Sequence, residues 1–326
     1  MALLSGCVGS EPDVIVYAAL DGEFSQPILE QFQRDTGLVV RAKFDTEATK
    51  TVGLANEILA MSHRPRCDVF WNNEILNTLR LESAGKLVAY VSPLAERYPA
   101  MYRSPEGYWH GFAARARILL VNTRRLEPHQ RPRSILDLAD ARFRGQCGIA
   151  KPLFGTTATH AACLFAAWGP ERAREYFLAL RDNDVQILAG NKQVALSVAA
   201  GEIAFGLTDT DDAMAMIQQG EPVEIVYPDA QEGELGTLFI PNTLCILRDA
   251  PHPDAARRLV DYLLRPEVEA ALARGPSAQI PLGRDVPAEP PVATPRTVPA
   301  MRVDFREAAR YWDTAAQFLR QTFAAD

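Results

Sequence analysis

The chain has 326 residues, 48% of them apolar and 23% charged, and a formal net charge of −7. That length supports two domains or lobes with a sizeable core, and the acidic balance argues against nucleic acid or an anionic membrane surface as a partner. No window approaches the roughly 18 consecutive apolar residues of a membrane-spanning helix.

In chain order, Asp13–Ala18 (DVIVYA) is a short continuous apolar run, as in a buried parallel strand. A helix follows over "GEFSQPILEQFQRDTG", with Ser25 expected as N-cap, Pro27 in the first turn and Gly37 as the stop. "LVVRAKF" reads as a strand, "ATKTVGLANEILAM" as a helix, "CDVFW" as a strand and "NEILNTLRLESAG" as a helix. This βαβαβα opening predicts a doubly wound, mostly parallel sheet. Ligands of such sheets sit beyond the carboxyl ends of the strands, here the loops around 19–23, 45–50 and 72–74.

The middle of the chain repeats the pattern. "RARILLVNT" is a strand, "SILDLADARFRG" a helix, "CGIAKP" a strand, and "TTATHAACLFAAWG" and "PERAREYFLALRDND" are helices. "KQVALSVAAG", "EIAFGLTD", "TDDAMAMIQQG" and "VEIVYPD" alternate helix and strand, and "GTLFIPNTLCILRD" is extended. Helices over "PDAARRLVDYLLRPEVEAALARG" and "FREAARYWDTAAQFLRQTF" close the chain, joined by a proline-rich connector at 287–299. Two α/β units predict two lobes facing each other across a cleft, the usual seat of a small ligand.

Five cysteines, Cys7, Cys67, Cys147, Cys163 and Cys245, form no CxxC or zinc-like spacing. The last four read as buried free thiols; export would permit a disulfide without demanding one. The chain has no GxSxG, HExxH or GxxxxGK[ST] motif, and no GxGxxG after the first strand, so an enzyme is not expected; paired carboxylates able to do acid–base chemistry keep an enzyme on a two-lobed fold as the alternative of another class.

Several segments together, "VIVYAALDGEFSQPILEQFQRDTGLVV", "RPRCDVFWNNE", "RARILLVNTRRL", "AAGEIAFGLTD", "PHPDAARRLVDYLLRPEVEAAL" and "MRVDFREAARYWD", resemble extracytoplasmic solute-binding proteins of ABC importers. They are most similar to the ferric-iron-binding branch of the type II periplasmic binding fold. The resemblance implies a two-lobed clamp that closes on a small ligand and delivers it to a membrane permease, as a monomer and without a cofactor. We place residues 13–114 and 238–283 in one lobe and 115–237 and 284–326 in the other, with hinges near 111–115 and 235–239. It also gives weight to Leu4-Ser5-Gly6-Cys7, which resembles a lipobox and makes Cys7 the expected lipidation site after a signal and linker at 1–12.

The chain departs from that branch at the ligand. Ferric binders resembling it carry a Tyr-Tyr pair where this sequence has Asp211-Asp212, a His where it has Asp21, and a carboxylate after the "DVF" strand, where it has Asn72-Asn73-Glu74. Asp21, Glu74, Asp211 and Asp212 are therefore candidate metal ligands, and Asp209 joins them in the acidic "TDTDDA" loop. Helix capping would explain one or two of these aspartates, but not three.

Against this acidic set stand features that favour an anion. Arg115 and Arg117 share a strand face; Thr156 and Thr157 open a helix, as do Thr46 and Lys50. Ordinary capping and salt bridging remain alternatives for each. The cargo is then a metal ion such as iron, with or without a synergistic anion, or instead a small organic anion or a zwitterion such as a phosphonate.

Overall fold

The computed structural model describes residues 11–45, 52–61 and 64–323. Cys7, Thr46 and Lys50 lie outside the described residues. The chain order is β1 (Val14–Ala18), α1 (Gly22–Thr36), β2 (Val40–Phe44), α2 (Val52–Ala60), β3 (Val69–Asn72), α3 (Leu76–Ser83), β4 (Leu87–Val88) and β5 (His110–Asn122). There follow β6 (Cys147–Ala150), α4 (Gly155–Trp168), α5 (Pro170–Asp182), β7 (Gln186–Leu188), α6 (Asn191–Ala199), β8 (Phe205–Asp209), α7 (Thr210–Gln218) and β9 (Val223–Val226). The chain ends with β10 (Phe239–Leu247), α8 (Pro253–Leu263), α9 (Pro266–Arg274), α10 (Phe305–Arg310) and α11 (Trp312–Phe323).

The sheet has two halves. In the first, β2, β1 and β3 are parallel, and β10 runs antiparallel between β3 and β5. In the second, β6 runs parallel to both β7 and β8, while β5 is antiparallel to β8 and β9. Each half is thus mixed rather than mostly parallel, because β5 and β10 are long extended segments rather than βαβ strands. β5 serves both halves: up to Ala116 it pairs with β10, and from Arg117 onward with β8 and β9. All of its residues are buried.

Local chemistry sets the element ends. α1 starts earlier than Ser25: Asp21 is the N-cap residue, and Ser25 lies inside, its hydroxyl donating to the carbonyls of Leu20 and Asp21, both at 3.0 Å. Pro27 consequently falls in the second turn. Gly37 closes the helix at φ 73°, the left-handed conformation that glycine adopts without a Cβ penalty. The helix expected over "SILDLADARFRG" is instead two 3₁₀ turns, Ile135–Ala139 and Ala141–Phe143. Asp140 is extended between them and caps the second, accepting from the Arg142 N–H at 2.8 Å. The two C-terminal helical stretches each divide, at Arg265–Pro266 and at Tyr311.

The crossing strand carries one non-glycine residue in the left-handed region, Ala113 at φ 41°. The β5–β10 register shifts opposite it, between Pro241 and Asn242. Buried Glu269 holds the spot, accepting from the N–H groups of Ala113 (2.7 Å), Leu282 (2.9 Å) and Gly283 (2.9 Å). α10 packs against both α3 and α4, and Arg306 makes a bidentate pair with Glu82 of α3 at 3.0 and 3.2 Å. Cys67, Cys147, Cys163 and Cys245 are buried and free.

Candidate functional site

The carboxyl ends of β6 and β8, the starts of α4 and α6, the middle of β5 and the turn after β3 converge on one small cavity. Asn73, Arg115, Lys151, Thr156, Thr157, Asn191, Asp209 and Asp212 line it. Six of these eight belong to the ligand set expected from sequence. The cavity is about 40 Å³, far below the ~300–1,000 Å³ of drug-sized ligand pockets.

Asp209 anchors the floor. Its carboxylate accepts from Arg117 Nη1 at 2.8 Å, Thr156 Oγ1 at 2.5 Å and Asn191 Nδ2 at 3.0 Å. Arg117 is wholly buried and also donates to Thr156 Oγ1, Asn191 Oδ1 and Thr157 Oγ1, at 3.2, 3.0 and 3.2 Å. A buried charge is tolerated only when paired and hydrogen-bonded, and this network meets that demand while fixing the first turn of α4 against the end of β8.

Arg115, two residues earlier on β5, is 3% exposed, and its Nη1 lies 3.3 Å from Asp211 Oδ2. Burial works against its charge, but Asp211, Asp209, Asp21 and Asp212 more than offset this and hold its pKa above the ordinary arginine value. Its Nε is buried with no hydrogen-bond partner among the described residues, as is that of Arg117. Oxygens of Asp209, Asp211 and Asp212 all lie within 4.8 Å of one another, a spacing that fits a metal ion. Asp209 and Asp211 are buried, and Asp212 is partly exposed.

The expected residues do not all meet here. Asp21 sits at the start of α1, within reach of Arg115's field but off the cavity wall. Glu74 is 0% exposed and turned inward: its carboxylate accepts from the N–H groups of Leu76 (2.6 Å) and Asn77 (2.9 Å), Asn72 Nδ2 (3.0 Å) and Thr159 Oγ1 (2.7 Å). Four donors occupy this buried carboxylate, and its neighbour Asn73 takes the place on the cavity wall. His160 is buried, and desolvation, with Arg117 nearby, pulls its pKa down to about 3, so it stays neutral.

Lys151 and Asn191 were not among the expected ligands. The signal for Asn191 was present, a Gly-Asn pair just before a helical pattern at the end of a strand, but it reads equally as a helix cap. Lys151 had only its place at the end of "CGIAKP".

A two-part α/β sheet with a small, densely charged cleft where its strand ends meet is the architecture of a receptor for a small solute. A model of the bacterial extracellular solute-binding protein family matches residues 77–308, more than half of the chain, and the chain belongs to that family, one of solute-binding transport proteins rather than enzymes. It is 26% identical to iron uptake protein A2 of Synechocystis over 254 residues, 74% of this chain and 72% of the relative. It is 23% identical to the major ferric iron-binding protein of Neisseria meningitidis over 275 residues, 83% and 81% of the two chains. The fold matches iron-bound HitA from Pseudomonas aeruginosa with a TM-score of 0.86 at 22% identity, covering 95% of this chain and 99% of that one. It matches AfuA from Actinobacillus pleuropneumoniae, with fructose-6-phosphate bound, with a TM-score of 0.83 at 21% identity, covering 97% and 100%. These likenesses give the two-lobed periplasmic binding protein fold.

Proposed function

We propose that the chain is the receptor component of an ABC importer and captures a ferric ion, as cargo, together with a small anion. The observation that carries this reading is the convergence of the Asp209, Asp211 and Asp212 oxygens within 4.8 Å beside a cavity of about 40 Å³. Three hard oxygen donors suit a hard cation, and the space suits an ion with a small companion. Asp212, the most accessible of the three, is the first point of contact. Arg115 and the first turn of α4 supply the anion side, where backbone N–H groups and the Thr156 and Thr157 hydroxyls favour negative charge. Relatives named for iron binding or uptake support the same cargo.

Asp21 belongs to the facing wall in this reading, and Glu74 is left out of it. The lobes are residues 13–114 with 238–283 and residues 115–237 with 284–326. They close about the crossings at 111–115 and 235–239, the ligand shifting the equilibrium because it touches both lobes only when closed. The receptor works outside the cytoplasm as a monomer, held to a membrane by a lipid on Cys7, and hands its cargo to the permease.

A small organic anion or zwitterion is the second reading, favoured by the Nε of buried Arg115, which has no hydrogen-bond partner among the described residues. One experiment separates them: thermal melting of the chelator-stripped chain with ferric citrate, with and without bicarbonate, against a panel of phosphates, phosphonates and carboxylates. A ligand at about a hundred times its Kd adds roughly 2.7 kcal/mol of stability. A ferric-dependent rise that chelator removes supports the iron reading. A rise with an organic anion alone, indifferent to chelator, replaces it with the second.

A further inference from the structure

Glu74 has a partner that ordinary helix capping does not require. The Leu76 and Asn77 N–H groups open α3 and Asn72 ends β3, so these three donors are local to the β3–α3 turn and serve two of the helix's N-terminal N–H groups. Thr159 does not: it sits on α4, 85 residues away, and its hydroxyl donates to Glu74 Oε2 at 2.7 Å. Both residues are 0% exposed. Each end of this bond adjoins a part of the cavity lining. Asn73, next to Glu74, lines the cavity from the turn after β3, in the first half of the sheet; Thr156 and Thr157 line it from the first turn of α4, over the second half. Thr159 is three residues after Thr156, and so on a neighbouring face of the helix.

We propose that Glu74 is a positioning residue for the solute site: by holding Thr159, it docks the start of α4 against the Asn73 turn and sets the width of the cleft. The inference rests on reading this cleft as the solute site. The bond joins the two halves, so any opening that moves α4 away from the β3 turn must break a hydrogen bond to a buried carboxylate. It therefore favours the closed form and slows ligand release.

The test uses the full-length chain and the variants Thr159→Val, which keeps shape and loses the hydroxyl, and Thr159→Ser, which keeps the hydroxyl. Ferric citrate with bicarbonate and inorganic phosphate are the probes. Loss of a hydrogen bond to a carboxylate predicts a dissociation constant weaker by about tenfold or more in T159V, mostly through faster release, with restoration in T159S. A T159V chain that melts lower without ligand but binds the probes with wild-type affinity overturns the inference, since the bond would then be structural only. If the wild type binds neither probe, the proposed cargo fails, and small-angle scattering of the unliganded chains decides the inference separately. Expansion in T159V but not T159S upholds it, and identical radii of gyration overturn it. Should T159V not fold, Thr159→Ala serves in its place under the same criteria.

Discussion

Arg117 Nη1 lies 2.8 Å from Asp209 Oδ1, with both side chains essentially inaccessible to water. Two adjacent strands, β5 and β8, are locked across the sheet by this pair. Removing one partner strands the other charge in the interior, which costs about 3–5 kcal/mol. Arg117→Met is therefore expected to lose about that much stability in urea unfolding. The double variant R117M/D209N recovers part of it, because the orphaned carboxylate is gone. A loss below about 1 kcal/mol in R117M contradicts the assignment.

Asp212 differs from its two neighbours in being partly exposed. Asp212→Asn should lose no more than about 1 kcal/mol of stability, the worth of a partly exposed carboxylate in the first turn of α7, while weakening ferric uptake by roughly tenfold or more, about 1.4 kcal/mol. Titration of chelator-stripped protein with ferric citrate checks this. Wild-type uptake in D212N removes Asp212 from the proposed ligand set. Asp211→Asn gives no such clean separation, because Asp211 is buried against Arg115 and its loss disturbs the fold as well.

Much of this arrangement was legible in the sequence, and the remainder was hidden for identifiable reasons. The order of strands and helices follows from continuous apolar runs such as DVIVYA and from glycine stops such as Gly37. The convergence of Thr156, Asp209 and Asp212 was legible because strand ends in α/β folds share a rim, whereas Arg115 lies in the middle of β5 and was singled out by its shared strand face with Arg117. The role of Glu74 was not, because its decisive partner, Thr159, is 85 residues away. The switch of β5 between the two halves was approached only through the family resemblance, which put a crossing near 111–115: every residue from His110 to Asn122 is buried, so no change in pattern marks the point after Ala116 where its partners change.

His160 gives a signed pH prediction. Burial, with Arg117 close by, depresses its folded-state pKa to about 3 from 6.5. The neutral ring contributes stability that is fully present above about pH 6.5 and is lost as pH falls through about 3, because the unfolded chain takes up the proton first. In His160→Gln that dependence is absent. The stability of wild type relative to H160Q should therefore fall below pH 6.5 by about 1.4 kcal/mol for each pH unit. Urea midpoints at several pH values measure it, and a difference that does not change with pH rules it out.

Ala113 holds the left-handed backbone, at φ 41°, near the start of the strand that joins the two halves. Alanine carries a steric cost there that glycine does not, whereas a β-branched residue is a true outlier in that region. The conformation is imposed by Glu269, which accepts the Ala113 N–H at 2.7 Å, and by the register shift at Pro241/Asn242. Relief of the steric cost and the greater entropy of an unfolded glycine oppose each other. Ala113→Gly should consequently change stability by no more than about 1 kcal/mol in either direction, while Ala113→Val should lose about 1–3 kcal/mol. Urea unfolding of the two variants side by side tests the ordering. Equal stability of A113V and wild type would mean that the bulge is not held in the left-handed form in solution.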